Sequence, residues 1–186
     1  MMKNIFNIKK SNNEKFKEIY ETNFSSVYSF VYLRLAANKE VTEDIVQETF
    51  MSAMKGLNTY KGSSSYKTWL CGIAKNKLLN YYRDNIRREG FMCADKLDCV
   101  EDNLNIEFML INLETRKLIL EILNKLKPIY KYVLILKYID EYSVKDIAKY
   151  LGKTPKSIDG ILQRSKYSFK SEYIKIEGDE LYVKRG

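Results

Sequence analysis

The sequence predicts an all-α protein: two small helical domains, an N-terminal helical bundle and a C-terminal helix-turn-helix domain, joined by a flexible acidic linker. Three observations carry this. Only two prolines and eight glycines interrupt 186 residues, and apolar residues recur mostly at three- and four-residue steps, the period of amphipathic helices. The third is a reversal of charge in mid-chain, where "EGFMCADKLDCVEDNLNIE" sets six carboxylates against Lys96 directly after the basic residues Arg83, Arg87 and Arg88. A polar, charge-reversed stretch of this kind reads as a domain linker.

The elements follow in order. From Asn13, the stripe Phe16, Ile19, Tyr20, Val27, Tyr28, Val31 and Leu35 predicts a helix to about Ala37, with a break at Asn38 and Lys39. A second helix, about Thr42 to Leu57, turns Ile45, Val46, Thr49, Phe50, Ala53 and Leu57 inward. It leaves Glu43, Asp44, Gln47, Glu48, Met51 and Lys55 outside. After a loop at Lys61 to Ser64, Ser64 or Ser65 is a suitable N-cap for a third helix to about Arg88. Its stripe is Tyr66, Trp69, Leu70, Ile73, Ala74, Leu78 and Tyr81. Three such stripes make a self-sufficient bundle, so the first domain is placed at 10–88 and the linker at 89–109.

The second domain, 110–175, follows a helical pattern that starts around Ile106 and includes Leu110, Leu113, Leu118, Ile122 and Leu126. Pro128 sits where a new helix can begin. That helix ends near Ile139, Ser143 caps "VKDIAKYL", Gly152 ends it, and Thr154 caps a further helix with Pro155 in its first turn. Helix, glycine turn, helix is the helix-turn-helix pattern. Val144, Ile147, Ala148, Leu151, Ile158 and Leu162 face inward. Thr154, Lys156, Ser157, Asp159, Gly160, Gln163 and Arg164 face outward, flanked by Lys153, Lys166 and Lys170. Hydroxyl, amide and basic groups at a helix N-terminus suit a DNA major groove and its phosphates; an ordinary helical hairpin is the alternative.

Composition narrows the function classes. A formal charge of +8 favours a polyanionic partner or an anionic surface. No histidine occurs, which removes the commonest general base and imidazole ligand, and no nucleophile-elbow, P-loop or dinucleotide-binding spacing is present. The expectation is therefore a protein that is not an enzyme and holds no cofactor, metal or small-molecule substrate. Cys71, Cys93 and Cys99 fit neither a disulfide framework nor a metal site and read as free thiols. No signal peptide is legible at the N-terminus, and no apolar run reaches the roughly 18 residues of a membrane span, so a cytoplasmic protein without membrane insertion is expected.

With both halves in view, the chain resembles the extracytoplasmic-function (ECF) subfamily of sigma-70 family RNA polymerase sigma factors. Three stretches carry the resemblance: "TEDIVQETFMSAMKGL" at 42–57, "YKGSSSYKTWLCGIAKNKLLNYYR" at 60–83, and "LKPIYKYVLILKYIDEYSVKDIAKYLGKTPKSIDGILQRSK" at 126–166. It implies a factor that binds core RNA polymerase, directs it to promoter DNA and opens the duplex. It also implies control by an anti-sigma factor that covers the polymerase-binding surfaces. By the resemblance, the 42–57 helix docks on the clamp helices of the polymerase through Asp44, Gln47, Glu48, Met51 and Lys55.

The third helix and the loop before it would meet the promoter −10 element, and their residue chemistry suits that work. Holding bases that have left the stack takes aromatic platforms, hydrogen bonds to base edges and cations for phosphates. Tyr66, Tyr81 and Tyr82 supply rings, Ser63, Ser64, Ser65, Asn76 and Asn80 hydrogen bonds, and Lys61, Lys67, Lys75, Lys77 and Arg83 charge. In the family a flipped base sits between the serine loop and the helix carrying Asn76. Trp69, on the apolar stripe, reads as a core residue that positions the loop, while Tyr81 reads equally as core or platform and the serines as contacts or merely a cap.

The helix from Thr154 would read the −35 element through Thr154, Lys156, Ser157, Asp159, Gly160, Gln163, Arg164 and Lys166. Here the chain departs from the family: where relatives usually carry a basic residue, a small polar one and Arg, it has Asp159, Gly160 and Ile161, which implies an unusual −35 preference. The acidic linker either threads polymerase channels in place of nucleic acid or is a solvated tether. The rival reading of the whole chain is a helix-turn-helix regulator that binds DNA without polymerase.

Overall fold

A computed structural model describes residues 2–89 and 113–183, with side chains over 13–89 and 116–176. Among the described residues every regular element is helical, as the periodicity requires. The chain divides into two units, 1–79 and 80–186, each described by itself, and the divide falls within a helix, α3. The linker expected at 89–109 lies outside the described residues except for Glu89, as do the helix start near Ile106, Cys93 and Cys99.

In the first unit, α1 (Met2–Arg34) begins eleven residues before Asn13, since nothing between Met2 and Asn13 breaks a helix. It ends in a turn with Ala36 and Ala37 at φ 50° and 67°. These left-handed alanines cost about 1–2 kcal/mol each. Asn38 then caps α2 (Lys39–Gly56) by accepting from the Val41 N–H at 3.1 Å. The residue read as a break is thus a cap, and α2 starts three residues earlier than Thr42. A 3₁₀ turn at Leu57–Thr59 and an open loop lead to α3 (Tyr66–Arg88).

The buried apolar side chains of this unit include Ile19, Val27 and Val31 from α1, Leu35 from the turn after it, Ile45, Val46, Phe50 and Ala53 from α2, and Leu70, Ala74 and Leu78 from α3. Each large one contributes roughly 1.5–3 kcal/mol. The buried polar groups are satisfied within their own helices. The Asn23 amide donates to the Ile19 carbonyl at 2.8 Å, and the Thr42 and Thr49 hydroxyls donate back to the carbonyls of Asn38 and Ile45.

In the second unit, α4 (Leu113–Lys125) is followed by α5 (Pro128–Leu134), with Pro128 in its first turn, and α5 passes into a π turn at Ile135–Ile139. Then come α6 (Val144–Leu151) and α7 (Pro155–Val183), and α7 packs on α4, α5 and α6. The caps are those the sequence predicts. Ser143 Oγ accepts from the Asp146 N–H, and Thr154 Oγ1 from the Ser157 N–H at 3.2 Å. Gly152 takes φ 63°, which lets the Lys153 N–H reach the Ala148 carbonyl. Ile147, Ala148, Ile158, Ile161 and Leu162 close the helix-turn-helix core, while Val144 and Leu151 are only half-buried. The end of the chain, for which the sequence offered no reading, continues α7 as far as Val183.

Candidate nucleic-acid interface

The serine loop is held from behind by an aromatic cluster. Ser63, Ser64 and Ser65 are all exposed, as is Lys61, and Gly62 takes φ 71° to turn the chain. Ser65 is the N-cap of α3, accepting from the Thr68 N–H at 3.1 Å, so capping does not use Ser63 or Ser64; the Ser64 hydroxyl donates to the Ser65 carbonyl at 3.4 Å. The Tyr60 hydroxyl donates to the Ser64 carbonyl. Its ring lies 4.8 Å from that of Tyr66 and 4.9 Å from that of Trp69. Trp69 is half-buried and reaches back to Gly56, where a Cβ would stand 3.7 Å from the indole. The tryptophan therefore props the loop, through Tyr60.

Tyr60 is the residue that sequence reasoning missed here. It lies outside the apolar stripe of α3, and the only signal was an aromatic residue at the far end of a short polar loop. Tyr60→Phe keeps the ring and removes the tie to Ser64. Backbone amide exchange over Ser63–Tyr66 should rise severalfold while stability drops by no more than about 1 kcal/mol. Unchanged exchange there would show that the hydroxyl does not order the loop.

Along α3, Asn76, Asn80 and Arg83 recur at i, i+4 and i+7 and form one exposed line, with the Arg83 guanidinium donating to the Asn80 carbonyl oxygen at 2.8 Å. Lys75 is half-buried. Lys77 is drawn off this line: its ammonium pairs with Glu48 of α2 at 2.9 Å, and its side chain is only 22% exposed. Tyr82 is 0% exposed, so it cannot serve as a base platform without unpacking. Its ring stacks on Tyr132 at 4.3 Å within the second unit, and Tyr81, half-buried, meets the same ring edge-on. At 1.5 Å per residue, Asn76 lies about 15 Å along the helix from Tyr66.

On α2, Asp44, Gln47, Glu48, Met51 and Lys55 are all exposed, Met51 by 53%. Gln47 and Met51 also wall a groove of about 470 Å³ between α1 and α2, floored by Phe50 and flanked by Phe16, Tyr20 and Phe24. The α1 stripe therefore splits in two. Ile19, Val27 and Val31 are core, whereas Tyr20, read as part of the inward stripe, is 40% exposed along this groove.

On α7, Thr154, Lys156, Asp159 and Gln163 are exposed, and Ser157, Gly160 and Arg164 are half-buried. Lys166 turns back over the Tyr138 ring, 5.6 Å from its centroid. Tyr167, 59% exposed and four residues beyond Gln163, extends the exposed line and was missed by sequence reasoning. Ile161 is fully buried, so the third residue of the departing triplet is core. Cys71 is half-buried and burial pushes its thiol up, so it is a poor nucleophile. Among the described residues no cluster of ligands could hold a metal, and no helix is long and apolar enough to cross a membrane.

A helical bundle with an apolar groove between α1 and α2 and a polar line on α3, together with a helix-turn-helix, defines the class of helical DNA-binding factors to compare against, and comparison with known proteins gives the family. The family model described as Sigma-70 region 2 matches residues 19–88, and that described as Sigma-70, region 4 matches 116–168. The ECF RNA polymerase sigma factor SigW of Bacillus subtilis is 30% identical over 160 residues, 81% of this chain and 84% of SigW. The RNA polymerase sigma factor YlaC of the same organism is 25% identical over 169 residues, covering 90% of this chain and 96% of YlaC. Among solved structures, the sigma factor RpoE in complex with the anti-sigma factor NepR from Bartonella quintana aligns with a TM-score of 0.45 and 20% identity, over 86% of this chain and 96% of RpoE.

The chain belongs to the ECF family of sigma-70 RNA polymerase sigma factors. It directs transcription initiation by binding core RNA polymerase and DNA, and is not itself an enzyme.

Proposed function

We propose a division of labour within that activity. In the cytoplasm, residues 10–88 dock on core polymerase and hold the opened −10 strand, and residues 110–175 read the −35 element as duplex, joined by a linker at 89–109. Polymerase docking falls to Asp44, Gln47, Glu48, Met51 and Lys55 together with the α1–α2 groove. Strand capture falls to the serine loop, Tyr66 and the line Asn76, Asn80 and Arg83, with Lys61 and Lys75 on phosphates. Lys77 joins them when its ion pair with Glu48 opens, a pair that at this exposure is worth no more than about 1 kcal/mol. The exposed end of α7 enters the major groove. An anti-sigma factor that covers the α2 face completes the reading.

The observation that carries it is the chemical contrast between neighbouring helices. α2 exposes Met51 and Met54 beside an aromatic groove, which suits a protein partner, whereas α3 exposes amides and the loop before it exposes hydroxyls backed by a packed aromatic cluster, which suits bases. Reconstitution with core polymerase and mapping of transcription starts tests it. A defined start site preceded by −10 and −35 elements is expected, with weak duplex binding by the chain alone. Tight sequence-specific duplex binding without polymerase, and no defined start with it, would instead make the chain a helix-turn-helix regulator.

A further inference from the structure

Gly160 lies among the exposed and half-buried residues 154–164 that open α7, and what lies over it is specific. A Cβ placed there would stand 3.5 Å from one terminal nitrogen of the Arg164 guanidinium and 3.9 Å from the other. Side chains on a helix lean toward its N-terminus, so Arg164 naturally covers the turn that contains residue 160. With glycine at 160 the guanidinium lies down against the helix; its Nε is buried, and Arg164 as a whole is half-buried. Any longer side chain at 160 would occupy that seat and lift the guanidinium away.

The seat has two consequences for recognition. It carries the guanidinium one turn closer to the N-terminal end of α7, the end on which Lys156, Asp159 and Gln163 are exposed. It also holds a planar five-donor group in one orientation, so less rotamer freedom is lost when a partner is engaged. A guanidinium fixed in this way matches a rigid pair of acceptors, and in a major groove that pair is the O6 and N7 of guanine.

We infer that Gly160 is a specificity-determining residue for the −35 element: by leaving its position bare it seats Arg164 to read one guanine. The inference rests on the reading of α7 as the −35 helix.

The test is holoenzyme binding to a library of promoters that carry each base at each −35 position. Wild type is compared with Arg164→Ala, Gly160→Ala, Gly160→Leu and the double variant Gly160→Leu/Arg164→Ala, all at equal polymerase occupancy. Wild type should prefer guanine at one position by roughly tenfold, within the range one bidentate pair supplies. Arg164→Ala should flatten that position and leave the others. Gly160→Leu should flatten the same position, and the double variant should be no flatter than either single one.

Gly160→Ala should lose least, because 3.5 Å is ordinary contact, and it should also melt a few degrees higher, since alanine favours the helix. That opposition of stability and selectivity is not what simple damage to the helix would produce. If Arg164→Ala flattens a position that Gly160→Leu leaves intact, the seat is overturned while the −35 reading stands. If Arg164→Ala weakens binding equally for every base, the guanidinium is on a phosphate and the inference falls. If neither these variants nor Lys156→Ala and Gln163→Ala alter −35 preference, the reading of α7 itself is wrong.

Discussion

Met51→Asp is expected to weaken binding to core RNA polymerase by roughly thirtyfold or more. Met51 stands at the lip of the α1–α2 groove, more than half exposed, beside Gln47 and above the Phe50 ring. Polarizable side chains at the rim of an apolar groove are where a partner's side chains become fully desolvated, and central residues of that kind cost about 2 kcal/mol or more when lost. At about 1.4 kcal/mol per decade this gives the stated factor. Because Met51 is exposed in the free protein, its replacement should shift folding stability by no more than about 0.5 kcal/mol. Titration of labelled sigma factor with core polymerase reads the affinity directly. Gln47→Ala and Asp44→Ala should lie in the same direction with smaller effects. A wild-type affinity for all three would remove α2 from the polymerase interface.

Asn76→Ala is expected to act at a different step, reducing open complexes roughly tenfold or more while polymerase affinity stays within about twofold of wild type. An amide that makes paired hydrogen bonds to a base edge is worth about 1–3 kcal/mol, and Asn76 begins the exposed line that continues through Asn80 and Arg83. The loss should appear as reduced permanganate reactivity of −10 thymines, with closed complexes still forming. Combining Ser64→Ala with Asn76→Ala tests whether the two share a contact: additive losses are expected if they hold different nucleotides. Masking would mean that both groups hold the same base. If Asn76→Ala lowered polymerase binding first and Gln47→Ala impaired opening first, the assignments of the two helices would be exchanged.

How legible these features were depended on the range of the forces behind them. Ser143, Gly152, Thr154, Pro155 and Pro128 could be placed from the sequence because a cap is settled within three or four residues, by one side chain and one orphan N–H. Asn38 shows the limit of that logic: a polar residue between two helices reads as a break or a cap with equal ease, and only the bond to Val41 decides between them. Tyr82 was legible in principle, since it lies four residues beyond Leu78 on the buried stripe. It was read instead by its chemistry, as a ring available to a base.

By itself the sequence determined that the described residues are helical, where α6 begins and ends and where α7 begins, and, through its three quoted stretches, the resemblance to ECF sigma factors. Periodicity and capping are local, and local rules survive without knowledge of the fold. What only the tertiary structure decided is which side of each pattern has a neighbour. Tyr20 and Phe24 share an apolar stripe with Val27, yet they border an open groove because α2 covers only part of that stripe. Lys77 is paired because Glu48 of another helix is within reach, Tyr60 packs beneath the loop with Trp69 against it, and the Arg164 guanidinium lies beside Gly160. Each depends on a contact whose partner the helical period cannot name, since a repeat of 3.6 residues fixes the direction a side chain takes but not what waits there.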